Sequence, residues 1–193
     1  MILGITGISG SGKHMAASFL HKKGWVILDA DSMAHYLYRP YTNVWKAIVK
    51  EFGERILNQD DTINRTMLSK VVFNPDKPQE SLEALKKLNS FVHPSIKRRL
   101  IDEIRYHSRK GLNVAVVAAL WHELGIDQAC EKMLVVKAKP NLTQERIMKR
   151  DSIPADVYRL RTKNQADPEK ADWVVENNGT PEEFFAALAK TIK

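Results

Sequence analysis

Gly7-Ile8-Ser9-Gly10-Ser11-Gly12-Lys13-His14 joins the apolar run Met1-Ile2-Leu3-Gly4-Ile5-Thr6 to the segment Met15-Ala16-Ala17-Ser18-Phe19-Leu20. A short apolar run without alternation reads as a buried parallel strand. The segment after the lysine reads as a helix from about Gly12 to Lys23, stopped by Gly24. Strand, glycine-rich loop and helix form the setting in which G-x-x-x-x-G-K binds phosphate. The glycines let backbone N–H groups converge, the helix adds its positive end, and Lys13 brings a mobile charge to the outer phosphates. A tight turn would need fewer glycines and no lysine. One position departs from the motif. The Ser or Thr that follows the lysine ligates Mg2+ through its hydroxyl, and this chain has His14 there.

At 193 residues, 44% hydrophobic and 27% charged, the chain has the size and composition of one soluble globular domain, with room for an inserted subdomain. No apolar run nears the roughly 18 residues that a bilayer-spanning helix takes. The opening residues lack a basic leader and are broken by glycine, unlike a secretory signal. A single cysteine, Cys130, excludes an internal disulfide and fits a reducing, cytoplasmic setting. It reads as a small buried hydrophobe. The net charge of +7 favours anionic partners. The cations are scattered without interleaved aromatics, so no nucleic-acid module is recognisable, and phosphorylated small molecules account for the excess equally well.

Trp25-Val26-Ile27-Leu28 reads as a second buried strand, and Asp29-Ala30-Asp31 follows at its carboxyl end, where open α/β sheets place ligands. One of these acids can face a site while the other caps the helix Ser32–Tyr38, or both can be solvated turn residues. From Tyr41 to His107 the periodicity is helical, with stripes Val44-Trp45-Ile48-Val49-Phe52, Met67-Leu68-Val71-Val72, Leu82-Leu85-Leu88-Val92 and Ile96-Leu100-Ile101-Ile104. Pro94 predicts a kink or a new helix start near His93. Leu112–Leu120 reads as a third strand, the most central by its apolar character, and Lys132–Lys137 as a fourth. A helix from Asn141 through Arg150 places Arg146 and Arg150 on one face. Such a cationic run is either a solvated surface or a lid whose guanidiniums meet a triphosphate. Trp173–Glu176 reads as a fifth strand, and Thr180-Pro181-Glu182-Glu183 as a capping box opening the last helix.

These elements in this order resemble the dephospho-coenzyme A kinase family over nearly the whole chain. The resemblance rests on the loop, on Asp29-Ala30-Asp31, on Arg65-x-x-Leu68 and on His93-Pro94-Ser95-Ile96-Lys97. It continues through Glu123 to Asp127, Arg146-x-x-x-Arg150-Asp151, Arg161 with Gln165, and Ala171-Asp172-Trp173-Val174 followed by Asn177. It implies an α/β fold: a five-stranded parallel-sheet P-loop kinase core at 1–37 and 108–193, a helical substrate-binding insertion at about 38–107, and an arginine-bearing lid at about 146–167, all within one domain. It implies transfer of the γ-phosphoryl of ATP to the ribose 3′-hydroxyl of dephospho-coenzyme A with Mg2+, or Mn2+, as cofactor. Both substrates are small molecules, with no nucleic acid or membrane partner, and the chain is expected as a monomer or small homo-oligomer.

In that reading Ser9, Gly10, Ser11, Gly12, Lys13, His14 and Met15 hold ATP, with Arg146 and Arg150 over its phosphates and Asn177 and Gly179 near its adenine. Asp31, with Asp29 as second choice, orients and deprotonates the attacking hydroxyl, and either acid can serve the metal. Asp29, Asp31, Arg65, His93, Lys97 and Arg161 hold the acceptor, and Lys13, Asp31, Arg146 and Arg150 carry catalysis. The chain departs from the family pattern at His14, and at Val117-Ala118-Ala119-Leu120-Trp121, where the family has an acid and a proline. The link from Gln165 to Ala171 is also short. Both His14 and Val117 stand where a metal is ordinarily held. The rival reading is a nucleotide-binding protein on this scaffold with lost or altered transfer, acting as sensor or partner subunit.

Overall fold

The computed structural model describes residues 1–119, 121–162 and 171–192, without the side chains at 122, 123, 160 and 161. The chain divides into two compact units, residues 1–30 with 100–193, and residues 31–99.

The first unit is a parallel sheet of five strands: β1 (Ile2–Thr6), β2 (Val26–Asp29), β3 (Val114–Val117), β4 (Lys132–Lys137) and β5 (Trp173–Glu176), in the order β2-β3-β1-β4-β5. β1 therefore takes the middle, with β3 and β4 beside it, and the loop after β1 emerges at the centre of the sheet's carboxyl edge. The apolar run of β3 predicts burial correctly, since Val114, Ala115 and Val116 are wholly inaccessible. Burial is the same for any interior strand, however, and cannot rank β3 above β1. β3 is also shorter than the run suggests, because Leu112 and Asn113 precede the ladder and Ala118 leaves it.

Helix α1 (Lys13–His21) follows the loop, and α2 (Ala30–Leu37) follows β2 without a linker. Leu3, Ile5, Leu134, Val136 and Val175 of the strands pack with Ala16, Ala17 and Leu20 of α1 and with Phe184 and Leu188 from the last helix, forming one cluster. Fully burying each of the Leu, Ile, Val and Phe side chains among them contributes roughly 1.5–3 kcal/mol. Asp172 fixes the entry to β5. Its carboxylate accepts from the Met133 amide at 2.8 Å and from Lys132 Nζ at 2.7 Å. Those bonds hold the carboxyl below its ordinary range.

The second unit is built from α2 beyond Ala30, α3 (Asn43–Phe52), α4 (Arg65–Val72) and the first part of α5 (Pro78–Arg109), which continues into the sheet unit. Val44, Ile48 and Phe52 of α3, Leu68 and Val72 of α4, and Leu88, Val92 and Ile96 of α5 are buried, as their spacing predicts. Leu82 is exposed, and Ser81 is buried in its place. The Ser81 hydroxyl accepts from the Asn74 amide at 3.0 Å, which fastens α5 to the end of α4. α5 also runs through Pro94, so no new helix starts at His93. Pro94 lies on the exposed side, where water can satisfy the Ser90 carbonyl that the proline leaves without its helical donor.

Beyond β3 come the single turn α6 (Trp121–Leu124), then α7 (Pro140–Asp151), α8 (Ala155–Thr162) and α9 (Pro181–Thr191). Both halves of the capping box form at α9: Thr180 Oγ1 accepts from the Glu183 amide and the Glu183 carboxylate accepts from the Thr180 amide. Cys130 is half-buried beside Asp127 and Glu131, and burial together with those charges pushes its thiol up to about 12. Among the described residues no helix is long and apolar enough to cross a membrane.

Two outcomes follow. Leu134→Ala removes a fully buried side chain from the middle of the cluster and is expected to lower the unfolding free energy by about 2–5 kcal/mol in a denaturant titration. The folded protein at pH 8 should be alkylated at Cys130 by iodoacetamide at least about a hundredfold more slowly than the unfolded chain, whose thiol ionises near 8.5.

Candidate active site

The loop between β1 and α1 is held in shape by residues far away in sequence. Gly12 caps α1 with φ of 110°, in the region that disfavours side chains, and a Cβ there would land on the Asn177 amide nitrogen. That closeness lets Asn177 Nδ2 donate to the Ser11 carbonyl at 2.8 Å in the buried interior. Asn177 itself hangs from the end of β5 through its own amide, which donates to the Lys137 carbonyl at 2.7 Å. Arg146 closes the ring from α7, with Nη1 donating to the Gly10 carbonyl at 3.3 Å and Nη2 to the Asn177 carbonyl at 3.2 Å.

Lys13 is buried, and its ammonium donates to the carbonyls of Gly7 at 2.7 Å and Ile8 at 3.1 Å. The Ser11 amide donates to the Ile8 carbonyl at 3.1 Å, closing the turn. Thr6 Oγ1 and Ser11 Oγ are both buried with no hydrogen-bond partner among the described residues. Met15, the last of the loop residues expected to touch nucleotide, packs against the sheet cluster.

His14, the second residue of α1, reaches Asp29 at the end of β2, with Nε2 and Oδ2 2.9 Å apart. The imidazole is 57% exposed and the carboxylate 18%. Asp31 lies two residues on, in the first turn of α2. β3 ends at Val117, with Ala118 just past it, both buried, so no acid stands there among the described side chains. Magnesium prefers oxygen donors. His14 supplies a nitrogen at the hydroxyl's position, so the donors present fit an ion that accepts nitrogen more readily than Mg2+, such as Mn2+ or Zn2+.

On α7, the Arg150 guanidinium bonds both oxygens of Asp151, at 2.7 and 3.1 Å. Thr143 Oγ1, wholly buried, meets the Tyr158 hydroxyl at 2.9 Å and joins α7 to α8. The side chain of Arg161 and the whole of Gln165 lie outside the described residues. Gly179 sits at the entry to α9, where a Cβ would strike the capping carboxylate of Glu183.

In the helical unit, Arg65 opens α4, bonds His35 Nε2 through Nη1, and lies 5.5 Å from the Tyr38 ring centroid. Burial pushes the Tyr38 phenol up while Arg65 works against that shift. His93 and Lys97 are one turn apart on α5, half-buried and exposed respectively.

Comparison with known proteins gives this arrangement its relatives. A family profile described as dephospho-CoA kinase matches residues 1–183. The chain belongs to the dephospho-CoA kinase family. It is 38% identical to the dephospho-CoA kinase of Lactobacillus johnsonii, over 92% of this chain and 89% of that protein. It is 31% identical to that of Geobacillus kaustophilus, over 100% of this chain and 96% of that one. Among solved structures, a protein from Thermus thermophilus superposes with a TM-score of 0.77 at 28% identity, covering 100% and 95% of the two chains. Dephospho-CoA kinase from Campylobacter jejuni shares the fold with a TM-score of 0.70 at 24% identity, covering 99% and 94%.

The sequence alone singled out the loop, the paired acids and Arg146. It missed the brace under the loop, for which Asn177 at a strand end was the available signal. It also missed Thr143 and Tyr158, which carry no motif. Gly12→Ala should weaken ATP binding at least about tenfold in a calorimetric titration, because a positive-φ residue with a side chain displaces Asn177. Unchanged affinity would contradict the brace.

Proposed function

We infer that this chain transfers the γ-phosphoryl of ATP to the ribose 3′-hydroxyl of dephospho-coenzyme A, giving coenzyme A and ADP. The observation that carries the reading is the coexistence, in a member of this family, of a braced phosphate loop with Lys13 and the acids Asp29 and Asp31 at the end of β2. ATP lies on Ser9 to Met15, with its adenine towards Asn177 and Gly179. Lys13 exchanges its carbonyl partners for the outer phosphates and neutralises charge as the bond to the β-phosphate oxygen loosens. Arg146 and Arg150 add positive charge over the same phosphates, Arg146 from its place beside Gly10.

Asp31 takes the proton of the attacking hydroxyl as the new O–P bond forms and the bond to ADP breaks. Asp29, Arg65, His93, Lys97 and Arg161 hold the acceptor, the cations meeting its anionic groups. A divalent ion, Mg2+ or Mn2+, when bound supplies charge neutralisation on the β- and γ-phosphates, and Asp29 or Asp31 would hold it on the protein's side. The chain works in the cytoplasm on these two small molecules, as a monomer or small homo-oligomer, without nucleic-acid or membrane partners. A nucleotide-binding scaffold without transfer leaves Lys13, Asp31 and the arginines with no common use.

The test is an assay coupling ADP release to NADH oxidation, with ATP and dephospho-coenzyme A, run with Mg2+ and again with Mn2+. Turnover with at least one metal is expected, and none with either, alongside measurable ATP binding, would falsify the reading. Asp31→Asn should cut kcat by at least about a hundredfold while ATP affinity stays within about twofold. A variant with normal kcat removes Asp31 from the role of base.

A further inference from the structure

The hydroxyl that usually follows the P-loop lysine is absent, and what replaces it is already paired with a second metal-ligand type. We propose that His14 Nε2 and Asp29 Oδ2 are adjacent ligands of a nitrogen- and oxygen-bound divalent ion, of the Mn2+, Co2+ or Zn2+ class, that bridges the protein to the nucleotide's phosphates. This rests on nucleotide occupying the loop, and it does not require that transfer occur.

The geometry comes first. The two atoms are 2.9 Å apart. In an octahedral ion with bonds of about 2.1 Å, neighbouring ligand atoms lie about 3.0 Å apart. An ion can therefore take the place of the hydrogen bond between these two atoms at close to their present separation. The backbone under both groups is regular. His14 is in the first turn of α1, directly after the phosphate-binding Lys13, and Asp29 is the last residue of β2, paired in register with Val117. The more exposed imidazole leaves one side of the pair open to water and phosphate oxygens, which complete the coordination.

Donor chemistry then selects the ion. Imidazole nitrogen adds little to Mg2+, a hard ion that dehydrates reluctantly. It binds later first-row ions and Zn2+ well. Among the described residues the strand that neighbours β2 offers no competing oxygen ligand at its end, where Val117 and, just past it, Ala118 stand. At the hydroxyl's position this chain has an imidazole, and it meets the second-strand acid that the family pattern already holds. A simple ion pair would explain the 2.9 Å contact equally well, and it predicts a different outcome below.

Mn2+ is the probe. Mn2+ is titrated into the full-length protein with the β,γ-imido analogue of ATP, and the bound ion is read by electron spin echo envelope modulation. The wild type is expected to show coupling to an imidazole nitrogen that His14→Ser abolishes. Competition titrations should give a preference for Mn2+ over Mg2+ that falls at least about tenfold in His14→Ser. Asp29→Asn should weaken Mn2+ binding about tenfold or more in the same titration.

Absence of nitrogen coupling in the wild type, or a Mn2+ to Mg2+ preference unchanged in His14→Ser, overturns the proposal and leaves the ion pair. Neither readout depends on turnover. Nitrogen coupling without coenzyme A formation would overturn the transfer reading alone, and turnover without nitrogen coupling would overturn this one alone.

Discussion

The buried hydrogen bond from the Asn177 side chain to the Ser11 carbonyl joins residues 166 apart in sequence, and the phosphate loop takes its shape from it. A loop with glycines at 7, 10 and 12 has many conformations and would lose them on meeting a triphosphate. Fixing even a few of those residues beforehand spares binding about 1–2 kcal/mol per residue. The Ser11 carbonyl is buried, so removing its donor leaves an unpaired acceptor at a cost of about 1–3 kcal/mol. Gly12 is the condition for this contact, since any side chain there would occupy the position of the amide. Arg146 shares the task, bonding the carbonyl of Gly10 on one side and of Asn177 on the other.

The sheet order explains why such a brace is available. β1 is flanked by β3 and β4, and β5 lies beyond β4, so the end of β5 and helix α7 both come to the side of the loop. β2, beyond β3, brings Asp29 to His14 from the other side. The loop thus has a structural wall made of Asn177 and Arg146, and a chemical wall made of His14 and Asp29. Lys13 lies within it on the loop's own carbonyls, a short reach from where the outer phosphates would replace them.

Sequence reading succeeded where a local pattern has a single physical meaning. Glycines 7, 10 and 12 with Lys13 between strand and helix admit one use, and the Thr180–Glu183 box forms as its spacing requires. It fell short where neighbours decide. Apolar character could not say that β1 rather than β3 takes the middle of the sheet. Proline at 94 breaks helices on average, yet on the exposed face of α5, where solvent can reach the Ser90 carbonyl, the helix runs through it. Leu82 matched a helical stripe, but the bonds of Ser81 to Asn74 turned that residue inward instead. For Asn177 the resemblance implies only a place near the adenine. That its amide holds the loop from below follows only from β5 lying where it does.

The measurement that bears most directly on the brace is amide hydrogen exchange at Ser11 in the nucleotide-free protein. The Ser11 amide is bonded to the Ile8 carbonyl inside the loop. In the wild type it should be protected to a degree approaching that of the β1 amides. In Asn177→Ala it should exchange at least about tenfold faster, by roughly the cost of one buried hydrogen bond, while the amides of β1 and β4 keep their protection. Equal protection of Ser11 in the two proteins would contradict the claim that the fold, before any ligand arrives, sets the loop.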